Sequence, residues 1–225
     1  MRKSRAVRAK RGRANPSGSH VSIEARRAQL VEAAIKVMKR EGVSKTTTRL
    51  VAAEVGVPLG ILHYCFETKA DLLRAASRAL AVELIEAARE AAAQAASADL
   101  ATRLRLSMRA VWAAAMRDID AQLCTYEVIT WSLRENDRSG LAQDQYNEYD
   151  QSVIEVLREG AEAARVEYAH PIEALARWIF VTFDGTVLAY LVDRDEQRAF
   201  TTMDLLATAV AATAVPRARP KRGRS

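Results

Sequence analysis

Residues 46–69, TTTRLVAAEVGVPLGILHYCFETK, hold two short apolar-periodic segments joined by a glycine turn. In the first, Leu50, Val51 and Val55 recur at helical spacing, and Thr47 is placed to cap the helix with a side-chain oxygen on an orphan backbone N–H. Gly56 follows the last apolar residue, where a sharp exit needs the left-handed conformation, and Pro58 suits the first turn of a second helix. That second helix carries Leu59, Ile61, Leu62, His63, Tyr64 and Phe66. The pattern predicts a helix-turn-helix, in which the second helix enters the DNA major groove and the first crosses the phosphate backbone.

Upstream, Ser22 is expected to cap a helix running to Glu41. Its apolar face is Ile23, Leu30, Val31, Ala34, Ile35 and Met38, and its polar face is Arg26, Arg27, Lys36, Lys39 and Arg40. These three helices make a head over residues 21–66. Residues 1–20 carry seven Lys or Arg and no acid around Asn15-Pro16-Ser17-Gly18-Ser19, which reads as a disordered basic arm, either a nucleic-acid arm or a solvated tail. Residues 215–225 read as a second basic tail. The formal net charge of +6 is therefore concentrated on the head and tails, leaving the rest of the chain acidic, so a polyanion is drawn to one end.

Downstream, residues 67–214 form a helical body. A long alanine-rich helix follows Lys69 with Leu73, Ala76, Leu80, Leu84 and Ala87 on one face, and Asp99 caps the next, marked by Leu100, Leu104, Met108, Val111, Trp112 and Ala115. Further helices are expected over about Ala121 to Arg134, Leu141 to Glu167, Pro171 to Val192 and Phe200 to Ala214, with a loop at Asn136-Asp137-Arg138-Ser139-Gly140. No β-strand is expected. The fold class is all-α.

Several side chains carry candidate chemistry. Thr47 and Thr48 stand at a helix N-terminus that favours a phosphate oxygen, with capping as an equal alternative, and Lys69 can add a point charge. On the second motif helix, Pro58, Leu59, Gly60 and Ile61 offer apolar contact with thymine methyls and close backbone approach, leaving His63 and Tyr64 for phosphate or base; Leu62 and Phe66 are core. In the body, Met108, Trp112 and Met116, then Tyr126, Thr130 and Trp131, then Tyr146 and Tyr149, supply large side chains with a few polar tips. Such a set lines either a ligand pocket or an ordinary core.

Gly42, Thr47-Thr48-Arg49, Ala52, Gly56-Val57, Gly60, Leu62, Phe66, Lys69 and Leu72 together resemble the DNA-binding head of TetR-family transcriptional regulators, with Asp184-Gly185 as a later point of likeness. Ile61, His63 and Cys65 depart from the family pattern. The resemblance implies a base-reading role for Arg49, whose fork matches guanine O6 and N7 together. It also implies a small-molecule effector in the body and a homodimer built from the last two helices. For that interface the apolar stripe gives Ile179, Phe183, Gly185, Val187 and Tyr190, joined by Leu205, Leu206 and Val210.

Other classes find little support. His63 and Cys65, two apart on a helix, point in different directions and make no metal site. No nucleotide-binding fingerprint, nucleophile elbow or HExxH motif is present, so neither an enzyme nor a cofactor is expected. Cys65 and Cys124 lie within helical patterns and suggest no disulfide, and no run of about 18 uncharged apolar residues suggests a membrane span. The expectation is a cytoplasmic, ligand-responsive repressor that binds double-stranded DNA as a dimer. An effector-independent DNA-binding protein, or more remotely a helical enzyme, is the alternative.

Overall fold

The structure, a computed structural model, describes residues 22–135 and 140–217; the arm expected over 1–20, residues 136–139 of the expected loop and residues 218–225 of the tail expected over 215–225 lie outside the described residues, while Val215 and Pro216 of that tail belong to a strand. The chain is all-α apart from one small sheet. In order come α1 (Ile23–Glu41), α2 (Thr48–Val55), α3 (Leu59–Cys65), α4 (Lys69–Gln94), α5 (Leu100–Met116), α6 (Ile119–Arg134), α7 (Leu141–Ala164), β1 (Val166–Tyr168), α8 (Ile172–Asp193), α9 (Glu196–Ala212) and β2 (Ala214–Pro216).

Side-chain caps set most of the helix starts. The oxygens of Ser22, Thr47, Asp99, Asp118 and Asp195 each accept the backbone N–H three residues on. At α4 the cap is reciprocal: Thr68 accepts from the Asp71 amide while the Asp71 carboxylate accepts from the Thr68 amide, which satisfies two orphan donors. Asp118 starts α6 two residues earlier than apolar spacing suggests, and Asp195 starts α9 at Glu196, ahead of its first large apolar residue. Pro58 is the residue before α3 and makes no side-chain cap.

Two apolar cores result. The first joins Leu30, Val37, Met38, Val51, Leu62 and Phe66 of the head to Leu72, Leu73 and Ala76 of α4, and also to Cys124 and Val128 of α6 and Leu141 of α7. Packing therefore does not divide at residue 66. Within α1 nothing before Leu30 is buried, Ile23 is half exposed, and Val37 belongs to the face that packs. The second core lies between α5, α7, α8 and α9, with Trp112 edge-on to Tyr190 at 4.9 Å and to Phe200 at 5.9 Å between ring centroids.

The strands correct the expectation of none. Helix α7 ends at Ala164, where Arg165 takes the left-handed conformation (φ 56°), and β1 pairs antiparallel with β2 in the register Val166↔Pro216, Glu167↔Val215, Tyr168↔Ala214. Each strand has three residues and a partner almost fifty residues away, too short for period-2 alternation to register. The pair ties the end of α9 to the α7–α8 connection.

Gly56 turns α2 toward α3 with φ 73°, its amide bonded back to Ala52 and Ala53. A Cβ placed there would meet nothing within 4 Å, so the cost of a side chain is in the backbone alone. Gly56→Ala should lower stability by about 1–2 kcal/mol, and Gly56→Asn, which tolerates this conformation, should lose less; urea unfolding checks the order, and equal losses would place the cause in packing instead.

Candidate DNA-binding head and ligand cavity

The outward face of the helix-turn-helix is built from α2's first turn and α3. The Thr47 hydroxyl accepts from the Leu50 amide at 3.2 Å, while Thr48 opens the helix. Arg49 is exposed and makes no ion pair among the described residues. Pro58, Gly60, Ile61, His63 and Tyr64 are exposed, Tyr64 by 73%, and Leu59 is half-buried; Leu62, Cys65 and Phe66 fill the core behind them. Arg27 holds the end of α3 from below: its guanidinium donates to the Cys65 carbonyl and lies 4.2 Å from the Phe66 ring centroid. Arg27 nevertheless stays exposed, as expected of the polar face of α1.

Lys69 departs from its expected role. Its ammonium donates to the Val43 and Ser44 carbonyls at 3.0 and 3.4 Å and sits 4.9 Å from the Trp131 ring centroid, and burial lowers its pKa. Two of its three N–H donors are thus held by backbone carbonyls, which ties the ammonium to the α1–α2 connection. The same α1–α2 connection is held from α6, where the Glu127 carboxylate accepts the Val43 amide at 2.7 Å and Asp118 pairs with Lys39. Glu127 carried no signal in the sequence, being an ordinary acid on an amphipathic helix.

The body holds a partly open cavity of about 140 Å³ between α4, α5, α6, α7 and α8. Its walls are Leu84, Ile85, Leu104, Met108, Val111, Ile129, Val153, Val156, Ile179, Phe180, Phe183 and Val187, with polar groups from Ser107, Gln122, Thr125, Tyr126, Tyr149, Ser152 and Asp184. The Tyr126 hydroxyl donates to the Asp184 carbonyl at 3.0 Å, and burial raises its pKa steeply. Tyr149 is pushed up to about 12, chiefly by burial. Ser107 Oγ is buried with no hydrogen-bond partner among the described residues.

Of the eight side chains expected around an effector, Met108, Tyr126 and Tyr149 line this cavity. The other five are elsewhere. Trp112 pins α5 to α8 and α9 and donates to Glu196 at 3.4 Å; Met116 packs against the same core. Thr130 is exposed, its hydroxyl returned to the Tyr126 carbonyl at 2.9 Å; Trp131 packs on the head core under Lys69. Tyr146 is not part of the lining and stands edge-on to Phe180 behind it, at 5.0 Å between ring centroids. Size and aromaticity mark a side chain as buried without saying which side of its helix is hollow.

Most of the side chains expected at a dimer interface are turned inward in the single chain. Ile179, Val187, Leu206 and Val210 are buried within the single chain, Phe183 lines the cavity, and Tyr190 packs on Trp112. Gly185 and Leu205 alone of the eight are exposed. The outward stripe of α8 is instead Trp178, Val181, Gly185, Leu188 and Val192, with Val192 exposed by 83%. A helix apolar all round gives periodicity no face to choose between.

Among the described residues, no three His, Cys, Asp or Glu side chains gather to hold a metal. Cys65 and Cys124 are buried free thiols, Cys124 with its pKa pushed to about 11 mainly by burial.

Residues 30–76 match the family described as "Bacterial regulatory proteins, tetR family". The chain is 29% identical over 178 residues to the HTH-type nicotine-responsive transcriptional repressor HdnoR of Paenarthrobacter nicotinovorans, covering 79% of this chain and 90% of that one. Among solved structures it is similar to the multidrug binding protein EbrR complexed with imidazole, at 26% identity and TM-score 0.57 over 80% of this chain and 94% of the other. The fold is also shared with SmeT, the repressor of the Stenotrophomonas maltophilia multidrug efflux pump SmeDEF, at 18% identity and TM-score 0.60 over 88% and 98% of the two chains. These relatives are regulators and binding proteins, not enzymes.

The position of Lys69 separates stability from DNA binding. Lys69→Gln should lower the melting temperature while leaving the slope of log K against log salt unchanged; a slope flatter by about 0.9, the value for one phosphate no longer neutralised, would return Lys69 to the DNA surface.

Proposed function

Because this chain is a TetR-family transcriptional regulator, we propose that it represses transcription as a homodimer on a pseudo-palindromic operator and releases DNA when a small molecule fills the body cavity. One observation carries the reading: α6 lines the cavity with Gln122, Thr125, Tyr126 and Ile129 while its opposite side holds the head through Cys124, Glu127, Val128 and Trp131. A molecule that favours one placement of α6 shifts the head by that preference and no more. The ligand-responsive repressor and the multidrug binding protein among its relatives support an effector over a DNA-binding protein with an inert body.

In this reading the two heads reach successive major grooves. Arg49 reads a guanine; Thr47 and Thr48 receive phosphate; Pro58, Leu59, Gly60, Ile61, His63 and Tyr64 present the groove-facing surface. Domain roles follow the same line, with a basic arm, a head through residue 66, an effector-binding and dimerising body, and a basic tail. No cofactor is required beyond the effector.

The second copy is assigned to α8. Trp178, Val181, Gly185, Leu188 and Val192 recur at spacings of 3, 4, 3 and 4, the repeat of a helix-pairing seam, and Leu205 of α9 is exposed by 67%. By length and composition α8 could cross a membrane, its most apolar window having a mean hydropathy of 1.4 with 28% buried in the chain. Its Arg177–Asp150 pair and cavity-facing Asp184 favour a protein partner instead. A DNA partner and two buried free thiols suit the cytoplasm.

Binding of the purified protein to DNA upstream of its own gene, followed by anisotropy, tests the function. Arg49→Ala should cost about 1–3 kcal/mol and relax preference at one base pair per half-site, whereas a loss uniform over all sequences would mean a phosphate contact. Leu188→Glu should yield a folded monomer in light scattering with operator binding lost; a dimer of unchanged affinity would remove α8 from the interface.

A further inference from the structure

One charged residue lines the cavity. Asp184 lies midway along α8 between Phe183 and Gly185, and every other residue of the lining is uncharged. No Lys or Arg pairs with it among the described residues: Arg177, two turns earlier on the same helix, is paired with Asp150 of α7. Burial pushes its carboxyl above the usual range, offset in part by the Tyr126 hydroxyl. A carboxylate at an apolar cavity without a counter-ion is costly, and the structure offers three ways to remove the cost: a proton, water, or a cation.

The walls favour the third when a ligand enters. Tyr126, Tyr149, Phe180 and Phe183 line the same cavity with aromatic rings, whose faces attract a desolvated cation. An anion would meet the carboxylate, and a neutral molecule would leave it unpaired. The volume, about 140 Å³, is near that of an apolar cavity of about 150 Å³ that holds benzene. We infer that the cavity selects a compact lipophilic organic cation, a protonated amine or quaternary ammonium on a ring-sized apolar body, with Asp184 as its counter-ion. This rests on the cavity being the effector site.

A permanently charged ligand requires Asp184 ionised, so its affinity falls as pH falls through the raised carboxyl pKa. The titratable groups that feel the charge of Asp184 are Tyr126 from α6 and Tyr146 and Tyr149 from α7, while Arg177 on α8 is paired with Asp150; α4 and α5 contribute no titratable group to the lining. All three phenols are shifted upward, mainly by burial, and stay neutral near pH 7. Asp184 is therefore the group that titrates. The sign for folding is opposite: a raised carboxyl pKa stabilises the empty protein at low pH, and that contribution is lost as pH rises through it.

The test uses benzyltrimethylammonium and its uncharged carbon isostere neopentylbenzene, titrated calorimetrically into the full-length protein and into Asp184→Asn. The cation should bind the wild type about tenfold or more tighter than the isostere, a difference of about 1.4 kcal/mol or more. Asp184→Asn should abolish that preference while leaving the isostere's affinity intact, which also shows that the variant folds. Equal or tighter binding of the isostere by the wild type, or an unchanged cation affinity in Asp184→Asn, overturns the inference and leaves the effector reading standing. Failure of both molecules to bind overturns it as well, and a thermal-shift screen of neutral and anionic compounds then shows whether the effector reading falls with it.

Discussion

The hydrogen bond from the Val43 amide to the Glu127 carboxylate, 2.7 Å long, fixes the connection between α1 and α2 to a helix of the body. Around it the Lys69 ammonium holds the carbonyl side of the same turn, and Asp118 pairs with Lys39 at the end of α1. Buried apolar contact does the rest, because Cys124 and Val128 complete the core of the head. The head is thus seated on α6 by directional polar contacts as well as by packing. Charged partners hold a position more narrowly than apolar area alone, which slides at little cost.

Helices α6 and α8 share one design. Each turns one stripe toward the cavity and the other toward something beyond it. On α6 the second stripe meets the head, and on α8 it is the exposed run from Trp178 to Val192. Asp184 and Gly185 show how finely the sides are divided, since adjacent residues on a helix stand about 100° apart: the acid faces the cavity and the glycine faces out. In the dimer we propose, α8 would set the distance between two bodies and α6 would set each head upon its body. Filling the space between them would then alter the separation of the heads, the quantity that operator spacing tests.

The head was legible because its signals are local. Thr47, Gly56 and Pro58 specify turn and cap within a few residues, and the interior followed from Leu62 and Phe66. The body was legible as helices but not as surfaces. Trp112, Trp131 and Tyr146 are large and partly polar, yet each packs away from the cavity, while small Ser107 and Thr125 line it. On α8 two apolar stripes coexist, and periodicity selected the one that its own chain buries. The contacts of Lys69 and Arg27 were not legible because nothing nearby in sequence shows the carbonyls of Val43 and Cys65 that they reach. Contacts made across 26 to 84 residues carry no periodic trace.

Cavity and head, in the mechanism proposed, communicate through the seat on α6. The direct measurement is the operator dissociation constant with and without a saturating effector found by thermal shift, in the wild type and in Glu127→Ala. The effector should weaken wild-type binding by about 5- to 150-fold, the usual range for a coupling of about 1–3 kcal/mol, and this ratio should shrink severalfold in folded Glu127→Ala. The same ratio in both proteins would contradict the mechanism, placing the coupling in another helix.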